Sequence, residues 1–251
     1  MKGARVRLFV VVAVVAAAIC VRLGVWQLQR LGERKARNTL VASRMASPPI
    51  DASALPRDTA EARFRRVRVA GTIDYEHELI HASRTRRGSP GVNILTPVRI
   101  PGNDTAILVN RGWVYSPDGS TLDLTKWRDR DSTFEGYAVE LPATGGSAFS
   151  NHPRVFARLS HDVVARALPY PVFPTYVVAL DAGDTSSAAD RIARLPAPPL
   201  DNGPHMSYAV QWFGFALVAL VGAVVVVRQS RGDERRPTDR TAARGGANGP
   251  D

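Results

Sequence analysis

One cysteine, Cys20, is all the thiol chemistry this 251-residue chain carries. That excludes a disulfide framework within the chain, a Cys-x-x-Cys motif and a thiolate metal site, and with them copper handling by paired thiols. Lysine is nearly absent as well: Lys2, Lys35 and Lys126 are the three among 33 basic residues. The arginines therefore reflect a compositional habit, and no single one marks a chosen phosphate fork. There is no Gly-x-Ser-x-Gly elbow, no P-loop and no Gly-x-Gly-x-x-Gly turn, which removes the sequence marks of a serine esterase, an NTPase and a dinucleotide enzyme. Aromatics make up 7% of the chain and do not interleave with a basic stripe. The net charge of +10 thus gives no reason to expect nucleic acid as a partner. Basic tails beside a lipid bilayer account for it.

What the chain does have is two long apolar runs. From Tyr208 to Val227 twenty residues pass without a charge. At 1.5 Å per residue they span roughly 30 Å, the hydrocarbon thickness of a bilayer. A transmembrane helix over 205–227 is expected, because only there does each backbone group find a partner in lipid. The first run, Leu8 to Val21, is fourteen residues and has the length of a signal-peptide core. Apolar character resumes after Arg22, so that Leu8–Leu28 is 21 residues and long enough to span. A retained anchor over 8–28 is the reading taken, with a cleaved signal as its alternative. Small residues at Ala16, Cys20 and Gly24, and at Ala209, Ala216, Ala219 and Ala223, suggest that the two spans pack as a pair. Basic residues before the first span and after the second place residues 1–7 and a disordered tail, 228–251, in the cytoplasm. The region between, 29–204, then lies outside.

That region reads as short strands between linkers at 42–62 and 195–204. Segments at 67–73, 92–100, 106–115, 134–141 and 172–180 are rich in β-branched and aromatic residues and are separated by turn formers. Pro101-Gly102-Asn103-Asp104 predicts a hairpin turn. One helix is expected at 161–168, capped by Ser160. Residues 181–190 read as a loop. The fold class expected is a membrane protein in which two transmembrane helices flank a mostly antiparallel, α+β domain that tends toward a barrel.

Three constellations are candidates for chemistry. His77-Glu78-Leu79-Ile80-His81 spells His-Glu-x-x-His, which on a helix would hold zinc with Glu78 as general base. On a strand the two imidazoles lie about 13 Å apart, and no third ligand follows at a suitable spacing. A strand with its polar residues facing out is preferred. In Asn110-Arg111-Gly112-Trp113, Arg111 and Trp113 either present a cation and an aromatic to a partner or a propionate, or cap the sheet with Arg111 stacked on Trp113. At the mouth of the second span stand His205, Tyr208, Gln211 and Trp212. At the end of the first stand Trp26, Gln27 and Arg30. His205 has two readings, an interfacial polar residue or an axial haem ligand in an aromatic setting.

Three groups of residues resemble a known family. They are Gly24-Val25-Trp26-Gln27-Leu28-Gln29-Arg30, then Val109-Asn110-Arg111-Gly112-Trp113-Val114 preceded by Gly91 to Pro97, and His205-x-x-Tyr208-x-x-Gln211-Trp212-Phe213. Together they are similar to the Surfeit locus protein 1 (Surf/Shy) family over residues 8 to 228. The resemblance implies a non-enzymatic assembly factor for haem-copper cytochrome c oxidase, with two spans around an extracytoplasmic domain. It also implies transient binding of haem a, with haem a synthase and oxidase subunit I as partners. By the third motif His205 would be the haem ligand, with Tyr208, Gln211, Trp212, Trp26, Gln27 and Arg30 around it and Arg30 or Arg111 as counter-charge for the propionates. The Arg-rich composition implies a bacterial plasma membrane. A scaffold that never touches haem, and a zinc hydrolase using His77, Glu78 and His81, are the alternatives. Departures from the family pattern are Tyr115, where proline often follows, Arg34 in place of lysine, and Arg22 inside the first span.

Overall fold

The first apolar run is part of a much longer helix. In the computed structural model, which describes residues 2–128, 133–149, 152–180 and 192–234, helix α1 runs Lys2–Ala46 without a break. It continues eighteen residues beyond Leu28, about 27 Å at 1.5 Å per residue. The chain divides into two compact units. One joins the residues up to Asn38 with those from Asp201 onward, and the other is Thr39–Leu200.

The first unit is a pair of helices, α1 and α4 (His205–Glu234). Both are long and apolar enough to cross a membrane. Their mutual seam is visible in what each buries. Along α1 the covered positions include Val6, Val10, Ala13, Ala17, Cys20, Gly24, Gln27 and Leu31. Along α4 they include His205, Ala209, Trp212, Ala216, Ala219, Ala223, Val226 and Ser230, and Leu23, Gly222 and Val227 beside these lines are covered as well. Steps of four and three alternate in both, the 3.5-residue period of a left-handed helix pair. The expected pairing of the spans is therefore present, and the alanines named on α4 lie on it. On α1 the expectation needs correction: Ala16 is exposed, and Ala13 and Ala17 are buried instead. A spacing of four throughout drifts about 40° per step on a 3.6-residue helix, so a straight seam must alternate. The small faces allow close approach: a Cβ at Gly24 would stand 2.7 Å from the Phe213 ring.

The second unit is a ten-stranded mixed sheet. The strands are β1 (Ile50–Asp51), β2 (Arg66–Ala70), β3 (Thr72–Ile73), β4 (Leu79–Arg86), β5 (Ser89–Arg99), β6 (Ala106–Tyr115), β7 (Thr133–Glu140), β8 (Ser147–Phe149), β9 (His152–Arg158) and β10 (Val172–Ala179). Their order is β1-β2-β7-β10-β6-β5-β4-β9-β8, with β3 on β5. Most pairs are antiparallel, but β1–β2, β10–β6 and β4–β9 are parallel. Among the described residues the two ends of this order do not pair, so the sheet is open and the expected barrel is not formed. The β5–β6 hairpin turns where Pro101-Gly102 predicts, with Gly102 at φ +72° and the Asn103 N–H donating to the Ile100 carbonyl.

Alternation along the central strands builds two cores. On β6, Ile107 and Val109 join Val67, Val69, Val98, Phe134 and Val177 in one cluster. Leu108, between them, joins Leu79, Leu95, Leu141 and Phe156 in another. Successive side chains of a strand point to opposite faces, and both faces of β6 are covered, which is why it reads as a continuous apolar run. Helix α3 (His161–Ala167) closes the second cluster with Val164. The expected linker over 42–62 is ordered instead: α1 runs through its first turn, β1 follows, and α2 (Thr59–Ala62) is capped by the Asp58 carboxylate. Val41 and Met45 of α1 pack with Phe64, Tyr137 and Val178, and Arg44 donates to the carbonyls of Ala60 and Arg63. The expected loop at 181–190 lies outside the described residues, as does the tail from 235. Helix α4 extends through 228–234, where a disordered tail was expected.

Candidate functional site

Helix α4 begins where the sequence forces a turn. Gly203 sits at φ +65°, in the left-handed region that suits glycine. The Pro204 carbonyl accepts from the Tyr208 N–H and the Ser207 hydroxyl. His205 follows, half-buried on the seam, with Nδ1 2.9 Å from Oε1 of Gln27 on α1. An amide oxygen only accepts, so Nδ1 carries the proton and Nε2 keeps its lone pair in the neutral ring. A bond of this kind fixes tautomer and ring direction for a ligating histidine. Gly203 borders the other edge of the ring: a Cβ there would lie 3.5 Å from Nε2.

A second polar lock lies on the same seam, seven residues past Leu31. Asn38 Nδ2 donates to the Asp201 carbonyl at 2.9 Å and to Asn202 Oδ1 at 3.1 Å. Sequence reasoning passed over Asn38, for which a buried asparagine in phase with the 3.5-residue period was the signal available.

The other expected residues near His205 are less closely gathered. Trp212 lies on the seam with its ring edge-on to Phe215, centroids 5.9 Å apart. Trp26 is 43% exposed and with Arg22 and Leu23 lines a shallow hollow of about 380 Å³. Tyr208 and Gln211 are on the outer surface. Arg30 is exposed and paired with Glu33 at 2.7 Å. An exposed pair of this sort is worth about 0–1 kcal/mol, so it holds Arg30 only loosely.

The residues in the sheet domain have a different role from the one expected. Arg111 is the extra residue of a bulge, since β5 and β6 pair Leu95 with Asn110 and Ile94 with Gly112. Its side chain is fully buried and meets Glu78, itself 2% exposed, at 2.7 Å. Thr96 donates to the same carboxylate oxygen at 2.5 Å, the Arg111 guanidinium also donates to the Trp127 carbonyl, and it lies over the Tyr75 ring. Arg111 therefore presents no cation to a partner or a propionate, and it stacks on Tyr75, not on Trp113. Burial pushes the Glu78 carboxyl above its ordinary range, against the pull of Thr96 and Arg111.

The rest of the motif is structural in the same way. Asn110 Oδ1 accepts from the Gly112 N–H. Gly112, at φ +128°, lets the chain at Ala193 approach so closely that a Cβ would stand 2.5 Å from its carbonyl oxygen. Ala193 pairs with Trp113 through two backbone bonds. The Trp113 indole donates to the Arg84 carbonyl and lies against Gly91, with the Arg86 guanidinium over its ring.

The His-Glu-x-x-His string is dismantled by the fold. His77 precedes β4 and is held by Asp74 at 2.8 Å, Glu78 points inward to Arg111, and His81 lies on β4. Glu78 is thus neither facing out, as expected of a solvated strand, nor available as a general base. The zinc-hydrolase alternative falls with it. Burial, then Arg84, depresses the His81 pKa to about 4, while a bond to the Ala157 backbone acts the other way. A histidine kept neutral by the fold contributes stability fully above its unfolded pKa and loses it as pH falls through the folded one. His81 should therefore cost the domain on the order of 3 kcal/mol between pH 6.5 and about 4. Thermal unfolding of the detergent-purified protein should show a falling midpoint over that interval, and His81→Gln should flatten the fall.

Sequence comparison relates the chain to known proteins. The SURF1 family profile matches residues 14–217. A SURF1-like protein of Monosiga brevicollis is 23% identical over 237 residues, covering 87% of this chain and 88% of that protein. A SURF1-like protein of Rickettsia felis is 25% identical over 223 residues, covering 86% and 96%. Surfeit locus protein 1 of Gallus gallus is 25% identical over 214 residues, covering 76% and 66%. The match takes in the whole sheet and reaches into both helices, and the chain belongs to the SURF1 family.

Proposed function

We propose that this chain is an assembly factor for haem-copper cytochrome c oxidase, and that it binds haem a at the mouth of the helix pair through His205. Family membership supports the assembly role. The observation that carries the haem reading is the bond from His205 Nδ1 to Gln27 Oε1. The donor set fits: one imidazole held by Gln27, Trp212 and Phe215 edge-on to each other further along α4, and Arg30 in a weak surface pair. Haem iron, when bound, supplies an open coordination position for an imidazole nitrogen.

The chain's own residues do the rest. Gln27 holds the ring so that Nε2 is the ligating atom. Gly203 keeps the space beside that atom clear of a side chain. Arg30 can leave Glu33 for a carboxylate at little cost. A single protein ligand gives a modest grip, and a carrier that must release its cargo needs one. The partners that fit this role are haem a synthase and oxidase subunit I.

In cells lacking this chain, the haem a absorbance of membranes should fall severalfold and return with the wild-type gene. A His205→Ala gene that restores it fully would favour the scaffold reading. The proposed topology, with both termini in the cytoplasm of a bacterium and the sheet domain outside, has its own test. Alkaline phosphatase inserted at the Gly102-Asn103 turn should be active, and a fusion after Arg228 inactive; the reverse pattern would invert the topology.

A further inference from the structure

Away from the helix pair, the sheet domain has a hollow of about 490 Å³ lined by Glu76, His77, Pro153, Arg154, Arg166 and Ala167. Three elements meet there: the loop before β4, strand β9 and helix α3. Neither the proposed carrier role nor the buried Glu78–Arg111 pair uses it.

Its imidazole is prepared in an unusual degree of detail. Asp74 Oδ1 accepts the backbone N–H groups of Glu76 and His77, both at 3.1 Å. Asp74 Oδ2 accepts from His77 Nδ1 at 2.8 Å and from the Tyr170 hydroxyl at 2.7 Å. The Tyr170 ring stands edge-on to the imidazole, centroids 6.0 Å apart. Burial acts to raise the Asp74 carboxyl, but the bonds from Tyr170 and His77 outweigh it and hold it below the ordinary value. This carboxylate stays ionised and faces Nδ1, so a protonated ring has its counter-charge already in place. Nε2 is the nitrogen left to the hollow.

Two guanidiniums complete the lining. Arg154 is fixed by a bond to the Glu76 carbonyl. Arg166 is 68% exposed and reaches Asp162 at 3.4 Å, a pairing loose enough to be exchanged for a better acceptor. Against these cations the lining offers one carboxylate, the exposed Glu76. Asp74 is not among the lining residues, and both its oxygens are turned to four donors.

We propose that this hollow binds a small oxyanion, a phosphate or a carboxylate group, through Arg154, Arg166 and the Nε2–H of a His77 imidazolium whose Nδ1–H goes to Asp74. Guanidinium forks suit both anions, and charge-assisted bonds to them are roughly twice as strong as neutral ones. The site is separate from the haem reading and stands or falls without it.

The test uses the full chain in a maltoside detergent, at physiological salt. Inorganic phosphate is titrated by phosphorus NMR and succinate by saturation transfer. Saturable binding of either probe in the millimolar range is expected, weakened about tenfold by Arg154→Gln or Arg166→Gln and severalfold by His77→Gln. Whichever probe binds more tightly identifies the oxyanion. Arg87→Gln, on the exposed β4–β5 turn, should leave binding unchanged. The proposal is overturned if neither probe binds, if the three variants bind like wild type, or if Arg87→Gln weakens binding as much as they do. Near-ultraviolet circular dichroism of each variant confirms that the fold is retained, and all four residues lie near the surface.

Discussion

Glu78→Ala is expected to destabilise the sheet domain by about 3–5 kcal/mol, the usual consequence of leaving a buried charge without its partner. Arg111 is fully buried, and its guanidinium cannot shed its proton. Deleting the carboxylate also strands the Thr96 hydroxyl that donates to it. At about 2–4 °C per kcal/mol for a domain of this size, the unfolding midpoint should drop by roughly 10 °C. The opposite deletion, Arg111→Met, should cost less. Glu78 already has a raised pKa, so an abandoned carboxyl there can become neutral by taking up a proton. The double variant Glu78→Leu with Arg111→Met should recover more than half of the Glu78→Ala loss, since an apolar pair removes both desolvation penalties. Equal losses from the two single variants, or a double variant as unstable as Glu78→Ala, would contradict this account of the pair.

The second large effect concerns Gln27. Removing a hydrogen-bond partner that orients a ligating histidine commonly costs 10–100-fold in affinity for the bound group. Gln27→Leu should therefore weaken haem retention by that factor while leaving the seam apolar and the helix pair intact. Gln27→Glu keeps an acceptor opposite Nδ1 and should retain haem. Retention unaffected by Gln27→Leu would show that the imidazole is oriented by something else.

Much of this was legible in the sequence where one physical constraint dominates. Bilayer thickness fixes the second span, and the end of its charge-free run at Val227 precedes the helix end only because helix continues into polar residues. Strand β6 was bounded as Ala106–Tyr115, because a fully covered strand is a continuous apolar run between turn formers. The hairpin at Gly102 was legible from turn chemistry; the helix at 161 begins after Ser160 as expected, but the Ser160 hydroxyl does not cap it and donates to Asp162 instead. Strands β8 and β9 were missed. His152-Pro153-Arg154 is polar and exposed, and only Val155 and Phe156 of β9 are buried, so period-two alternation never develops. The β4–β5 turn was missed because Arg87, a residue uncommon at φ +49°, takes a place more often held by asparagine.

The candidate site was readable in part. Polar groups crowded at one end of an apolar helix marked His205, and the motif resemblance added Gln27. Their bond could not be read from either helix alone, because it depends on the register between two segments 178 residues apart. Arg111 shows the converse limit. Sequence places it on a strand beside an aromatic residue, which suits a surface contact as well as a buried pair. The bulge on β6 and the partner Glu78, 33 residues earlier, both lie outside what the motif itself shows.

The central claim is that His205 Nε2 ligates haem a at the outer end of the helix pair. Its most direct test is the absorption spectrum of the full-length protein purified after co-expression with haem a synthesis, wild type against His205→Ala. The account predicts a Soret band in the wild type that is lost in the variant, with both proteins equally folded. A colourless wild-type protein, or a band unchanged in His205→Ala, would contradict it.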